Sequence, residues 1–192
     1  MSEIWSQTFD LLLQEIEQAA AAYVETPESI LTESDLQCIL YGRFAKVLGR
    51  NETSGLHVHA ETSFLDNQLN EGGKLAWKPD LVVIDHQDLD ITKGAELHDR
   101  KGYAFWGSCL AFELTFNRTK TIRSCEQEWK DDIDKLSAIR AEHYDDAAEK
   151  FHGAFVLFSR TTIPEVVKTE LINYSTSKGV AVKCHSATDQ QL

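Results

Sequence analysis

Lys78-Pro79-Asp80-Leu81-Val82-Val83-Ile84 and, about 30 residues further on, Ala111-Phe112-Glu113-Leu114-Thr115 decide the fold of this chain. Each sets one carboxylate on or beside a run of apolar and β-branched residues that reads as a mostly buried strand. An unpaired charge in such surroundings costs several kcal/mol, so each acid needs a partner. A hard divalent cation such as Mg²⁺ is one answer, because it takes oxygen ligands from one or two carboxylates and keeps several waters.

Working outward, helical and two-residue periods alternate along the chain. Ile4, Trp5, Phe9, Leu12, Leu13, Ile16 and Ala19 recur at helical spacing and predict an amphipathic first helix ending near Thr26-Pro27, with its acidic face in water. Thr32 and Asp35 form a capping-box pattern, with Asp in place of the usual Glu, that opens a second helix over about 33–48. The alternation Leu56-His57-Val58-His59-Ala60-Glu61 predicts a strand, and the polar stretch 66–74, with Gly72-Gly73, its turn. Leu81 to Ile84 and Leu110 to Phe116 are the next two strands, separated by a polar excursion over 85–107 with no clear assignment. A long amphipathic helix follows over about 121–143, with Ile122, Trp129, Ile133, Leu136 and Ile139 on its inner face. Ala154 to Phe158 is a fourth strand, Ile163-Pro164 opens a helix that runs to Gly179, and Val180 to Val182 is a short closing strand. The order ααβββαβαβ predicts an α/β fold with one mixed central sheet flanked by helices.

The chain is expected to be one domain: an acidic N-terminal helix over 1–26, a core over 33–158, and a C-terminal helix and strand over 159–192. Cys38, Cys109, Cys125 and Cys184 are widely spaced without a CxxC pair, which points to reduced thiols rather than a zinc ribbon or a disulfide framework. The first 23 residues lack a basic n-region and intersperse acids among apolar side chains, so a signal peptide or membrane span is not expected. The expectation is a soluble, cytoplasmic chain with no membrane partner. A net charge of −12 is unusual for a nucleic-acid binder, whose affinity rests on phosphate contacts by Lys and Arg. Residues 1–42 nevertheless hold eight acids and no Lys or Arg, which leaves the remaining 150 residues at a net −4.

A helix bearing Glu33, a hairpin ending in Pro79-Asp80, a strand bearing Glu113, then a helix and a further strand together resemble the core of the PD-(D/E)XK nuclease superfamily over about 33–158. The resemblance implies a restriction-endonuclease-like core (αβββαβ) with an extra N-terminal helix. It also implies Mg²⁺- or Mn²⁺-dependent hydrolysis of DNA or RNA, and is compatible with a homodimer. By the same resemblance Asp80 and Glu113 match the two metal-binding acids, and Glu33 the acid from the first core helix. Asp132-Ile133-Asp134-Lys135-Leu136 resembles the D-x-x-K-L found in the helix after the third strand. Thr115 stands where the family carries lysine. A hydroxyl there supplies no positive charge to orient water or to offset charge growing on the phosphorane, and some families with this fold carry another residue there or recruit a lysine from a neighbouring element. Lys135 is the first choice, ahead of Lys78 and Lys120. The alternative is a catalytically impaired nuclease-fold chain acting as a binding or regulatory module.

Each of these residues also has a structural reading. Pro-Asp dipeptides mark turns, and an acid in the first turn of a helix is favoured by the macrodipole alone. His57, His59 and Glu61 share one strand face, a spacing that suits either a transition-metal site or the solvent side of a hairpin. Asn117 to Arg123 places three cations just beyond the third strand, available to phosphates or to water. No nucleophile motif, Walker loop or dinucleotide fingerprint is present.

Overall fold

A computed structural model describes residues 3–50, 55–62, 64–66, 74–90, 104–105, 107–118, 122, 125–144 and 149–188. Among the described residues four α-helices enclose a mixed sheet. α1 (Glu3–Glu25) and α2 (Glu33–Arg50) come first, joined through a 3-10 turn at Pro27–Ser29. Strands β1 (Leu56–Ala60), β2 (Phe64–Asp66), β3 (Lys74–Trp77), β4 (Leu81–Asp85), β5 (Leu89–Asp90), β6 (Ala104–Phe105) and β7 (Cys109–Asn117) follow. After them come α3 (Glu126–His143), β8 (Phe151–Ser159), α4 (Glu165–Lys178) and β9 (Val180–Ser186).

The main sheet has the order β1-β4-β7-β8-β9. β4 runs antiparallel to both β1 and β7, whereas β8 joins β7 and β9 joins β8 in parallel, each reached through a helix. β2–β3 and β5–β6 are two small separate ladders. These short pairs, at 64–66 with 74–77 and at 89–90 with 104–105, fall in stretches expected to be turn or unassigned; the rest of the 66–74 turn and most of the 85–107 excursion lie outside the described residues.

Side-chain alternation gives the sheet two apolar faces. Leu81 and Val83 of β4, Leu110, Phe112, Leu114 and Phe116 of β7, and Ala154, Val156 and Phe158 of β8 pack under α1 and α2. Val82 and Ile84, Cys109 and Ala111, and Phe155 and Leu157 face the other way, against Trp129, Ile133, Leu136 and Ile139 of α3 and Val167 and Leu171 of α4. Trp5, Phe9, Leu12 and Ile16 are buried on the inner side of α1, as the spacing predicts. Its acidic face is not only solvated: Glu15 pairs with Arg43 of α2 at 3.1 Å and Glu17 with Lys183 of β9 at 2.7 Å. Among the described residues no helix is long and apolar enough to cross a membrane, and all four cysteines are free thiols.

Candidate active site

The antiparallel register of β4 on β7 pairs Leu81 with Phe112, so Asp80, one residue before β4, comes level with Glu113. Val82 and Ala111 both face α3, and by alternation Asp80 and Glu113 stand on that same face. The two carboxylates thus lie side by side on adjacent strands. Asp80 is anchored by its Oδ2, which accepts the Leu114 N–H at 2.7 Å, while its carbonyl accepts from Gln37 Nε2 of α2 at 2.9 Å. Burial lifts the Asp80 carboxyl to about 6, against the pull of that N–H.

Glu113 is the deeper acid, with a side chain only 3% exposed. Its Oε2 lies 2.6 Å from Lys135 Nζ, and its Oε1 is buried without a hydrogen-bond partner. Burial pushes the Glu113 carboxyl well above the ordinary carboxylate range; the adjacent ammonium opposes this and Asp80 adds to it. Lys135 is brought there by α3, whose buried Ile133 and Leu136 dock on the sheet and turn the side chain between them toward β7. Burial disfavours its charge, yet Glu113, Asp132 and Asp80 together more than offset that and raise its pKa.

Glu33 enters from the opposite layer. The capping box at the start of α2 forms with both bonds in place: Asp35 N donates to Thr32 Oγ1 at 3.1 Å, and Thr32 N donates to Asp35 Oδ2 at 2.9 Å. This fixes Glu33 in the first helical turn, where its Oε2 accepts the Phe116 N–H at 3.4 Å. Burial raises its pKa, with Asp132 adding to the effect and Lys135 and Arg118 opposing it. Thr115 shares the Glu113 face of β7, and its hydroxyl reaches Asp132 Oδ2 at 3.5 Å.

The cluster therefore joins Asp80, Glu113, Lys135, Thr115 and, from the far layer, Glu33. Asp132 belongs to it as well, 3.6 Å from Lys135, and was not singled out as a site residue. The signal was present: a three-residue spacing puts Asp132 and Lys135 on one helical turn. Lys78 pairs with Glu61 at 2.8 Å instead, and Lys120 lies outside the described residues. Of the basic segment after β7, Arg118 is exposed, Asn117 is buried and donates to Ser159 Oγ at 3.0 Å, and 119–121 and 123–124 lie outside the described residues.

The donor set is chemically suited to a hard cation. Glu113 Oε1 is an orphaned buried oxygen, Asp80 has one oxygen outside its N–H bond, and both acids carry raised pKa values that a divalent ion would bring down. Among the described residues no group of three or more His, Cys, Asp or Glu side chains is arranged to hold a metal, so water would complete any coordination here. Comparisons with protein-family models, curated proteins and solved structures gave no match.

Proposed function

We propose that this chain is a metal-dependent nucleic-acid phosphodiesterase of the PD-(D/E)XK type, in which Lys135 on α3 takes the part of the lysine that Thr115 replaces. The observation that carries the reading is the 2.6 Å approach of the Lys135 ammonium to Glu113, on the sheet face that Asp80 shares. The missing positive charge is thus supplied from a neighbouring element. The element order and the αβββαβ succession of the core agree with the same reading.

Asp80 and Glu113 would hold Mg²⁺ or Mn²⁺, which when bound supplies Lewis-acid stabilisation of the phosphoryl oxygens and a more acidic water. Lys135 would orient the attacking water and place a fixed positive charge beside the oxygens where negative charge grows. Asp132 pairs with that ammonium at 3.6 Å. Glu33, hydrogen-bonded to the β7 backbone, would act as the outer acid toward water rather than toward phosphate.

Purified protein incubated with single- and double-stranded DNA and RNA across Mg²⁺ and Mn²⁺ should cleave at least one of them. Lys135→Ala should lower that rate by about 10²-fold or more, the scale of losing one preorganised electrostatic partner, and Asp80→Ala should abolish it. Wild-type protein that neither binds a divalent ion at these acids nor cleaves any of the four substrates overturns the reading. Gain of cleavage by Thr115→Lys would then identify a nuclease scaffold without its chemistry, acting as a binding or regulatory module.

A further inference from the structure

A second cluster lies at the β1 edge of the sheet and takes no part in the carboxylate site. His57 and His59 alternate with the buried Leu56 and Val58, which places both imidazoles on the α3 side of the sheet. The expected third member, Glu61, turns away at a positive φ of 51° and pairs with Lys78. His86 takes its place. It follows β4, and its N–H donates to the Gly55 carbonyl at 2.8 Å, extending the β1–β4 ladder by one step so that residues 82, 84 and 86 share a face with 57 and 59. Asp85 locks the next turn by accepting the Gln87 N–H at 2.8 Å.

The two rings so placed converge. His59 Nε2 and His86 Nε2 are 2.9 Å apart, and the His57 ring stacks on His86 with centroids 3.7 Å apart and planes 12° off parallel. One of the two nitrogens must therefore donate its hydrogen to the lone pair of the other. Moving that hydrogen to the Nδ1 of its own ring, the other neutral tautomer, leaves an unprotonated Nε2 on each ring, 2.9 Å apart. With metal–nitrogen bonds of about 2.0–2.1 Å, a 2.9 Å separation subtends an angle of about 90° at a shared ion. A tetrahedral ion would need the nitrogens about 3.3 Å apart, so the spacing suits the right-angled sites of tetragonal Cu²⁺ or Ni²⁺ better than zinc.

We infer that His59 and His86 form a two-imidazole site for a divalent transition metal of tetragonal preference, Cu²⁺ or Ni²⁺, with His57 as the positioning residue that fixes the His86 ring. Water fills the remaining positions, since only two donors converge. Burial and the neighbouring rings hold the pKa of His59 and of His86 below the ordinary imidazole value. Asp85 acts on His86 in the opposite sense. The site uses softer nitrogen donors and none of the carboxylates, so it stands independently of the proposed nuclease centre.

The test is titration of the intact chain with Cu²⁺ alone at neutral pH, followed by calorimetry and by electron paramagnetic resonance. One equivalent should bind with a spectrum showing two equatorial imidazole nitrogens. His59→Ala and His86→Ala should each weaken binding at least tenfold, whereas Asp80→Ala should leave affinity and spectrum unchanged. Wild-type affinity in either histidine variant, or loss of the signal in Asp80→Ala, overturns the site. Because the readout is metal binding and not cleavage, its failure is separate from failure of the nuclease reading.

Discussion

Asp80 shows what a buried carboxylate does to the stability of its own fold. Burial raises its pKa from 3.8 to about 6, so between those values the folded chain holds a proton that the unfolded chain has released. Stability from this group is therefore complete below the unfolded value and declines as pH rises through the folded one. Asp80→Asn keeps an oxygen for the Leu114 N–H and removes the charge. In metal-free buffer it should stabilise the protein by about 1–3 kcal/mol at about pH 7.5, with the gain vanishing near about pH 4, as urea unfolding at the two pH values would reveal. A destabilised Asp80→Asn at the higher pH would mean that Lys135 holds the carboxylate charged instead. Asp80, Glu113 and Lys135 were legible in the sequence because a charge embedded in an apolar strand must be answered by something. Asp132 could have been read from its three-residue spacing to Lys135, whereas His86 could not, because its role depends on which strand register faces the site and local pattern does not fix that.

At the scale of elements, the start of α2 is the piece that delivers Glu33 to the β7 backbone. Thr32 Oγ1 accepts the Asp35 N–H at 3.1 Å and so satisfies one of the helix's free donors. Thr32→Ala should cost about 1 kcal/mol in thermal or urea unfolding, and Thr32→Ser should restore it. The same substitution should impair any activity that needs Glu33 more than it impairs Mg²⁺ binding by Asp80 and Glu113. The cap was readable because its chemistry is local. Boundaries set by tertiary contact were not: Ile122 fits the apolar spacing of α3 and is buried against it, yet it sits in a separate turn whose carbonyl accepts the Cys125 N–H at 3.0 Å, and the helix begins only at Glu126. β9 likewise runs four residues beyond the apolar Val180 to Val182, to Ser186, because pairing with β8 and the Lys183–Glu17 bridge hold a polar edge strand in place. The polar stretch between β2 and β3 reads as a turn in the sequence, but the strands themselves are too short to show a period.

Among the described residues the charge is arranged by end and by face, and this bears on how so acidic a chain could engage a polyanion. Glu3 and Asp10 lie on the first half of α1, where Phe9 stacks on His152 near the start of β8, on the sheet face opposite the carboxylate cluster. Arg118 is exposed just after β7, close enough to Glu33 to lower its pKa, at the end of the sheet where the cluster sits. At physiological salt the Debye length is about 8 Å, shorter than the layers separating α1 from that cluster, so the distant acids are screened while Arg118 is not. If nucleic acid binds over the carboxylates, Arg118→Ala should weaken binding alike for every sequence and reduce the slope of log K against log salt by about 1. The paired change Glu3→Gln with Asp10→Asn should alter affinity less than twofold at physiological salt, with a difference that grows as salt is lowered. Fluorescence anisotropy with a labelled oligonucleotide over a salt series, using Ca²⁺ in place of Mg²⁺ to suppress cleavage, separates the two. Equal shifts from both variants would show that only net charge matters, and the carboxylate face would then have no special claim on the polyanion.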